Sequence, residues 1–229
     1  MVVLIKHNYC GQILSFWIEL RMRKIILILF LINIQIISAN VNTSANIKSN
    51  TILFLGDSLT EGLGVNKEEA FPKLVEILIK NELKKDITVI NGGVSGSTTS
   101  DGLSRLKWYL KKKPYIVFLA LGANDGLRGL NLESSQKNLE EIIQYAQEAN
   151  AKVLLAGMLI PPNYGPAYSE RFKKMYEEIK AKYTLESMPF LLQGVAGVKE
   201  LNQRDGIHPN VDGHKYIAKE VFEFLKEKL

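Results

Sequence analysis

From Thr51 onward the chain repeats one alternation, in which a short apolar run is followed by a longer segment with apolar residues at helical spacing. The apolar runs are Thr51–Leu55, Ile87–Asn91, Tyr115–Leu121, Lys152–Met158 and Pro189–Gln193, each flanked by turn residues. Runs this short and this continuously apolar read as strands covered on both faces. Between them, Glu69–Leu83 carries Phe71, Leu74, Val75, Leu78 and Ile79 along one helical face. Leu103–Leu110, Leu132–Ala149, Ser169–Tyr183 and Val211–Leu229 read as further helices. Pro72 stands near the start of the first helix, where proline is tolerated, and Pro114 marks the end of the second. Strands separated by helices need crossover connections, which give a parallel sheet with helices on both faces. The expected fold is therefore a three-layer α/β/α domain over residues 51–229 with a five-stranded parallel sheet, without internal repeat or second domain.

In such a sheet the loops after the strands converge outside the strand carboxyl ends. Here those loops are rich in residues that carry chemistry. Gly56-Asp57-Ser58-Leu59 follows the first strand, Asn91-Gly92-Gly93-Val94-Ser95-Gly96 the second, and Leu121-Gly122-Ala123-Asn124-Asp125-Gly126 the third. Pro161-Pro162-Asn163-Tyr164-Gly165 follows the fourth, and Asp205-Gly206-Ile207-His208-Pro209 lies in the long loop after the fifth.

A serine hydroxyl has little nucleophilic power without a base. Residues 40–229 contain two histidines, His208 and His214. His214 falls inside the last amphipathic helix and reads as a packing or surface residue. His208 precedes a proline, which biases it away from helical geometry, and Asp205 stands three residues before it. Ser58 as nucleophile, His208 as base and Asp205 as the group that orients the imidazole reproduce the logic of a catalytic triad. Asp57 is a rival orienter, but side chains of adjacent residues diverge, so it reads as a brace for its own turn. Acyl transfer also needs donors aimed at a developing oxyanion. The Ser58 N–H, the Gly96 N–H and the Asn124 side-chain amide are the candidates, although Gly96 and Asn124 taken singly are ordinary turn residues.

Gly56-Asp57-Ser58-Leu59, Gly96, Asn124 and the Asp205-x-x-His208 block occur in the order found in the SGNH hydrolase superfamily, also called GDSL esterases, which this chain resembles over essentially all of 51–229. A narrower resemblance, through Gly122-Ala123-Asn124-Asp125-Gly126-Leu127-Arg128-Gly129, Pro162-Asn163-Tyr164-Gly165 and Asp205–Asn210, is to the bacterial multifunctional acyl-CoA thioesterase I / lysophospholipase / arylesterase group. That resemblance implies a flavodoxin-like sheet of order 2-1-3-4-5. It also implies cofactor-free hydrolysis of acyl esters and thioesters through an acyl-serine intermediate, with Ser58, Asp205 and His208 catalytic and Ser58, Gly96 and Asn124 forming the oxyanion hole. The partners it implies are a small acyl ester, thioester or lysophospholipid, with transient lipid contact, and a monomeric enzyme is expected. Ser58 lacks a Gly-x-Ser-x-Gly setting, which argues against an α/β-hydrolase. Gln193–Arg204 borders the site and carries no readable motif.

The same residues could serve other functions. An esterase removing acetyl groups from envelope polysaccharide is the nearest, and Asn163-Tyr164-Gly165 favours the acyl-lipid branch over it. A metallo-phosphoesterase would use Asp57, Asp125, Asp205 and His208, but such sites want more histidines, and no metal is expected. A non-catalytic envelope-binding domain on the same scaffold is a third reading.

Residues 1–39 hold Lys6, Arg21, Arg23 and Lys24 against Glu19; of the chain's 29 basic and 24 acidic residues, 25 and 23 remain. That near balance gives no basis for nucleic-acid binding. Met22-Arg23-Lys24 followed by Ile25–Ile37, with Ser38-Ala39 before a cut at Asn40, reads as a secretory signal. The protein is then expected in the periplasm or outside the cell, with an uncleaved anchor as the alternative. Met22 reads as a better start than Met1, residues 1–39 as an extension plus signal, and 40–50 as a flexible leader. Cys10 is the chain's one cysteine, so the exported part has no disulfide to lean on.

Overall fold

The computed structural model describes Trp17, Arg21–Lys24 and residues 50–229; Trp17 and Arg21–Lys24 are helical and exposed. The expected cut at Asn40, the leader apart from its last residue Asn50, the apolar run Ile25–Ile37 and most of the leading extension lie outside the described residues. No helix among the described residues is long and apolar enough to cross a membrane.

Five strands, β1 (Thr51–Gly56), β2 (Thr88–Gly93), β3 (Ile116–Ala120), β4 (Lys152–Ala156) and β5 (Glu186–Met188), form one sheet of order β2-β1-β3-β4-β5. Every pairing is parallel, with Leu53 opposite Ile90 on one side and Val117 on the other. The order reverses at β1, which is where an open α/β sheet leaves a crevice at its carboxyl edge.

The helices are α1 (Ser58–Glu61), α2 (Phe71–Leu83), α3 (Gly102–Tyr109), α4 (Ala123–Leu127), α5 (Leu132–Glu148), α6 (Pro166–Lys182) and α7 (Val211–Lys226). Helix α2 packs on α7, while α5 packs on both α3 and α6, so two helical layers enclose the sheet. The two central strands show why: Ile52–Leu55 of β1 and Ile116–Ala120 of β3 are fully buried on both faces. Phe54 packs against Phe71 of α2 with ring centroids 5.6 Å apart and against Phe118 of β3 at 4.9 Å. Each fully buried aromatic of this kind stabilises the fold by about 1.5–3 kcal/mol relative to leaving it in water.

Both sheet edges depart from the apolar pattern. β2 is an edge strand and is partly exposed along most of its length. The run Pro189–Gln193 is not a strand; the fifth strand is Glu186–Met188, and residues 191–197 form turns. Pro189 has no N–H to continue the ladder. The chain instead folds around Gly157, whose N–H donates to Met188 O at 2.9 Å and whose carbonyl accepts from Leu191 N at 2.9 Å. Leu191 is buried by this turn rather than by the sheet. The true strand escapes an apolar search because it is an edge, and its Glu186 pairs with Lys152 at 2.5 Å and Lys228 at 3.2 Å.

Candidate active site

Ser58 stands at the first position of α1, directly after β1. The turn into that helix is tight: a Cβ on Gly56 would lie 1.9 Å from Thr60 Oγ1. Asp57 is the N-cap, and its Oδ1 accepts the Leu59 N–H at 3.0 Å. Its carboxyl is buried, which pushes its pKa up to about 6 against the opposing pull of the Leu59 N–H, His208 and Arg105. Arg105 of α3 donates from one guanidinium nitrogen to Gly56 O at 2.9 Å and Gly92 O at 2.8 Å, joining the ends of β1 and β2 behind the serine. Asp57 is thus the brace of its turn and does not orient the imidazole.

The loop after β5 brings His208 to Ser58. The Ser58 hydroxyl lies 3.0 Å from His208 Nε2. On the other side of the ring, Nδ1 lies 2.6 Å from Asp205 Oδ2. Asp205 Oδ1 meanwhile accepts the backbone N–H groups of Ile207 at 2.9 Å and His208 at 3.0 Å. The His208 backbone and side-chain donors, with the Ile207 N–H, hold the Asp205 carboxyl down to about 2. An ionised carboxylate at Nδ1 fixes the tautomer with the proton on that nitrogen and leaves Nε2 as the acceptor facing the serine. Gln203 anchors this loop: its backbone N–H donates to His208 O at 2.8 Å, and its side-chain amide donates to Leu63 O at 2.6 Å and Pro209 O at 2.9 Å. Leu63 follows α1 directly, so the histidine loop is pinned to the serine's own segment.

His214 is a packing residue. It is buried in α7, stacks on Phe71 at 6.2 Å and accepts the Phe71 N–H on Nδ1 at 3.3 Å. Burial, with a smaller contribution from His208, lowers its pKa to about 4.

Gly96 and Asn124 come from the loops after β2 and β3, on either side of β1. Gly96 takes φ +79, a conformation that only glycine adopts without strain. Among the described residues no acceptor engages its N–H. Asn124 lies in α4, and its Nδ2 donates one hydrogen to Ser97 O at 2.9 Å, leaving the second hydrogen of the amide for a ligand. The neighbouring Asp125 is buried and fully engaged: it accepts from Thr99 N at 2.9 Å, Thr99 Oγ1 at 2.6 Å and Ser135 Oγ at 2.8 Å. Asp57, Asp125, Asp205 and His208 do not converge as a ligand cluster among the described residues.

Arg105, Glu61, Ser95 and Arg128 also shape this edge; Ser95 and Arg128 stand inside the motif blocks, but no spacing in the sequence gives any of the four its role. Each acts through a contact with a residue distant in the chain, such as the 34-residue separation of Glu61 and Ser95. Only the third dimension supplies that pairing.

Known proteins resemble this chain in sequence and fold. The GDSL-like lipase/acylhydrolase family matches residues 54–216. Esterase TesA of Pseudomonas aeruginosa is 39% identical over 180 residues, covering 78% of this chain and 89% of that protein. The thioesterase 1/protease 1/lysophospholipase L1 of Escherichia coli K12 is 36% identical over 171 residues, covering 74% of this chain and 80% of that protein. A crystal structure of TesA, 39% identical, superposes with a TM-score of 0.75 over 78% of this chain and 99% of that one.

Proposed function

Because the chain belongs to the GDSL-like lipase/acylhydrolase family, we propose that it hydrolyses acyl esters and thioesters through an acyl intermediate on Ser58. The enzyme is an SGNH esterase. The observation that carries the mechanism is the unbroken hydrogen-bonded chain from Ser58 Oγ through the His208 ring to Asp205.

The serine proton passes to His208 Nε2 as Oγ attacks the carbonyl carbon. The ionised Asp205 stabilises the imidazolium that forms. The carbonyl oxygen becomes an oxyanion, and the Ser58 N–H, the Gly96 N–H and the remaining Asn124 amide hydrogen donate to it. The Ser58 N–H has no partner inside its helix because it belongs to the first turn. Collapse of the tetrahedral intermediate breaks the bond to the leaving oxygen or sulfur, and Nε2 returns its proton to that atom. Water repeats the sequence in reverse and releases the acid. The transfer requires an unprotonated Nε2, the state in which the Asp205 contact at Nδ1 leaves the ring.

The loops of this edge support an acyl chain in preference to an acetylated sugar. Val94, Leu130, Leu159, Tyr164 and Ile207 all lie on them and leave large apolar side chains exposed. Exposed apolar side chains on the loops of the edge that carries Ser58 are available to a hydrocarbon substrate. The names of the relatives, an esterase and a thioesterase/lysophospholipase, point the same way. The basic start at Met22–Lys24 and the apolar run after it support export.

The test is Ser58→Ala assayed on medium-chain aryl esters, acyl thioesters, lysophospholipid and acetylated sugar. The native protein is expected to turn over the acyl substrates and the variant to lose that activity while keeping its unfolding midpoint. Unchanged turnover in Ser58→Ala overturns the mechanism. Preference for acetylated sugar overturns the substrate assignment.

A further inference from the structure

We propose that Glu61 is a positioning residue for the oxyanion donors, its carboxylate tying the Gly96 turn to the helix that carries Ser58. The inference rests on the acyl-serine reading of the site.

An oxyanion hole built from three loops works only if its donors converge on one point. The sheet does not guarantee that. The β1–β2 ladder ends with Gly56 opposite Gly93, and the β1–β3 ladder with Gly56 opposite Ala120. Ser58, Gly96 and Asn124 all lie beyond those last rungs, so contacts outside the sheet must fix their relative positions.

Glu61 supplies the contact between the first two. It is the last residue of α1, on the same short helix as Ser58. Its Oε2 accepts the Ser95 N–H at 2.7 Å and also the Ser95 hydroxyl. Ser95 is the residue immediately before Gly96, so one carboxylate oxygen holds the peptide that leads into the donor. The backbone beneath is fitted to the same purpose. Asn91 Nδ2 donates to Thr60 O at 2.8 Å, and Gly93 approaches so closely that a Cβ there would lie 2.1 Å from Glu61 N. From the opposite side Arg128 donates to Gly96 O at 2.9 Å. Arg128 caps α4, the helix of Asn124, and Asn124 donates to Ser97 O. Residues 95–97 are therefore gripped by α1 through Glu61 and by α4 through Arg128 and Asn124. Within that grip Gly96 takes φ +79, and its N–H has no internal acceptor among the described residues.

A carboxylate accepting a backbone N–H makes a charge-assisted bond, stronger than a neutral one. Glu61 is solvent-exposed, so removing its carboxylate strands no buried partner. What it removes is order in the turn, and a donor displaced by a fraction of an ångström stabilises the transition state less while leaving substrate binding intact.

The experiment compares Glu61→Ala, Glu61→Gln and Ser95→Ala with the native enzyme. It measures kcat and KM on an aryl ester, inhibition by an alkylboronic acid, whose tetrahedral adduct on serine places an oxygen in the hole, and the unfolding midpoint. In Glu61→Ala, kcat is expected to fall about ten- to hundredfold with KM changed less than about twofold. The boronate inhibition constant should rise in parallel with the loss of kcat/KM, and the midpoint should hold. Glu61→Gln keeps an acceptor oxygen and should recover part of the loss. Ser95→Ala removes the hydroxyl donor alone and should show a smaller fall in kcat; this measurement and that on Glu61→Gln stand even if Glu61→Ala fails to fold. Native kcat and boronate affinity in both Glu61→Gln and Ser95→Ala overturn the proposal. So does a Glu61→Ala loss of activity that leaves boronate affinity unchanged. Persistent hydrolysis in Ser58→Ala would sink the underlying reading of the site, whereas an inactive Ser58→Ala beside an unimpaired Glu61→Ala sinks this inference alone.

Discussion

Asp205 holds His208 at two points with one carboxylate: Oδ2 lies 2.6 Å from the ring Nδ1, and Oδ1 accepts the backbone N–H of the same residue at 3.0 Å. The first contact orients the imidazole and the second fixes the peptide from which it springs. Asp205→Asn keeps an acceptor but offers a neutral amide to a nitrogen whose proton position depends on charge. We expect kcat to fall by about 10²–10⁴-fold with KM little changed. Steady-state kinetics on an aryl ester checks this. Because the Asp205 carboxyl is held down to about 2, no loss of activity in the mildly acid range belongs to its titration.

Asn124→Ala removes the side-chain donor proposed for the oxyanion hole and also the tie to Ser97 O. A loss of about 10²–10³ in kcat is expected, the size seen for removing one such donor elsewhere. Asn124→Asp should be no better than the alanine, since a carboxylate repels an oxyanion. Recovery of activity in the aspartate variant would contradict the donor role.

Asp57 gives a stability signature with a definite sign. Burial raises its pKa from 3.8 to about 6, so the folded state prefers the protonated form and stability declines as pH rises through that interval. By linkage the decline is about 3 kcal/mol, complete above the upper value. Asp57→Asn cannot ionise and remains a good N-cap. The stability of the variant relative to the native protein should improve by about 3 kcal/mol between about pH 4 and pH 8. Arg105 and His208 face the carboxyl and reduce the effect from what burial alone would give. Urea unfolding at the two pH values measures it.

His214 acts in the opposite direction. Its pKa falls from 6.5 to about 4, so the fold keeps the ring neutral and loses stability as pH drops through that range. The loss amounts to about 3 kcal/mol. The windows of Asp57 and His214 overlap and partly cancel in the native protein. His214→Gln removes the ionisable ring, and the variant should show the stronger rise in stability on acidification that Asp57 alone produces. A variant with the same acid profile as the native protein would contradict this assignment.

The architecture was readable where burial and sequence pattern agree. Ile52–Leu55 and Ile116–Leu121 are continuous apolar runs because they form strands covered on both faces. The pattern failed at β5, where an edge position lets Glu186 face solvent and pair with lysines while the apolar stretch after Met188 turns inward without forming a ladder. Helix ends moved by a few residues for local reasons. The first long helix begins at Phe71 because Lys67–Glu69 is a separate 3-10 turn, and α7 stops at Lys226.

At the site, the proximity of Ser58 and His208 was legible because histidine is scarce and both residues sit on loops of one sheet edge. The role of Asp57 as a local cap was legible from adjacency. The grip of Glu61 on Ser95, the reach of Arg105 to two strand ends and the hold of Gln203 on Leu63 were not. Each is a side chain meeting backbone or hydroxyl groups far away in sequence, and no periodicity or spacing records such a meeting.

β5 contributes three residues to the sheet, and the chain then runs through turns before it reaches Asp205. That stretch answers to no strand register. Outside the buried Leu191, Val195 and Asn202, changes in it need not disturb the layers beneath, provided Gln203 keeps its hold on Leu63 and Pro209. An exposed substitution along this stretch is thus free to reshape the surface next to His208 while the sheet holds the Ser58 and Asn124 loops in place.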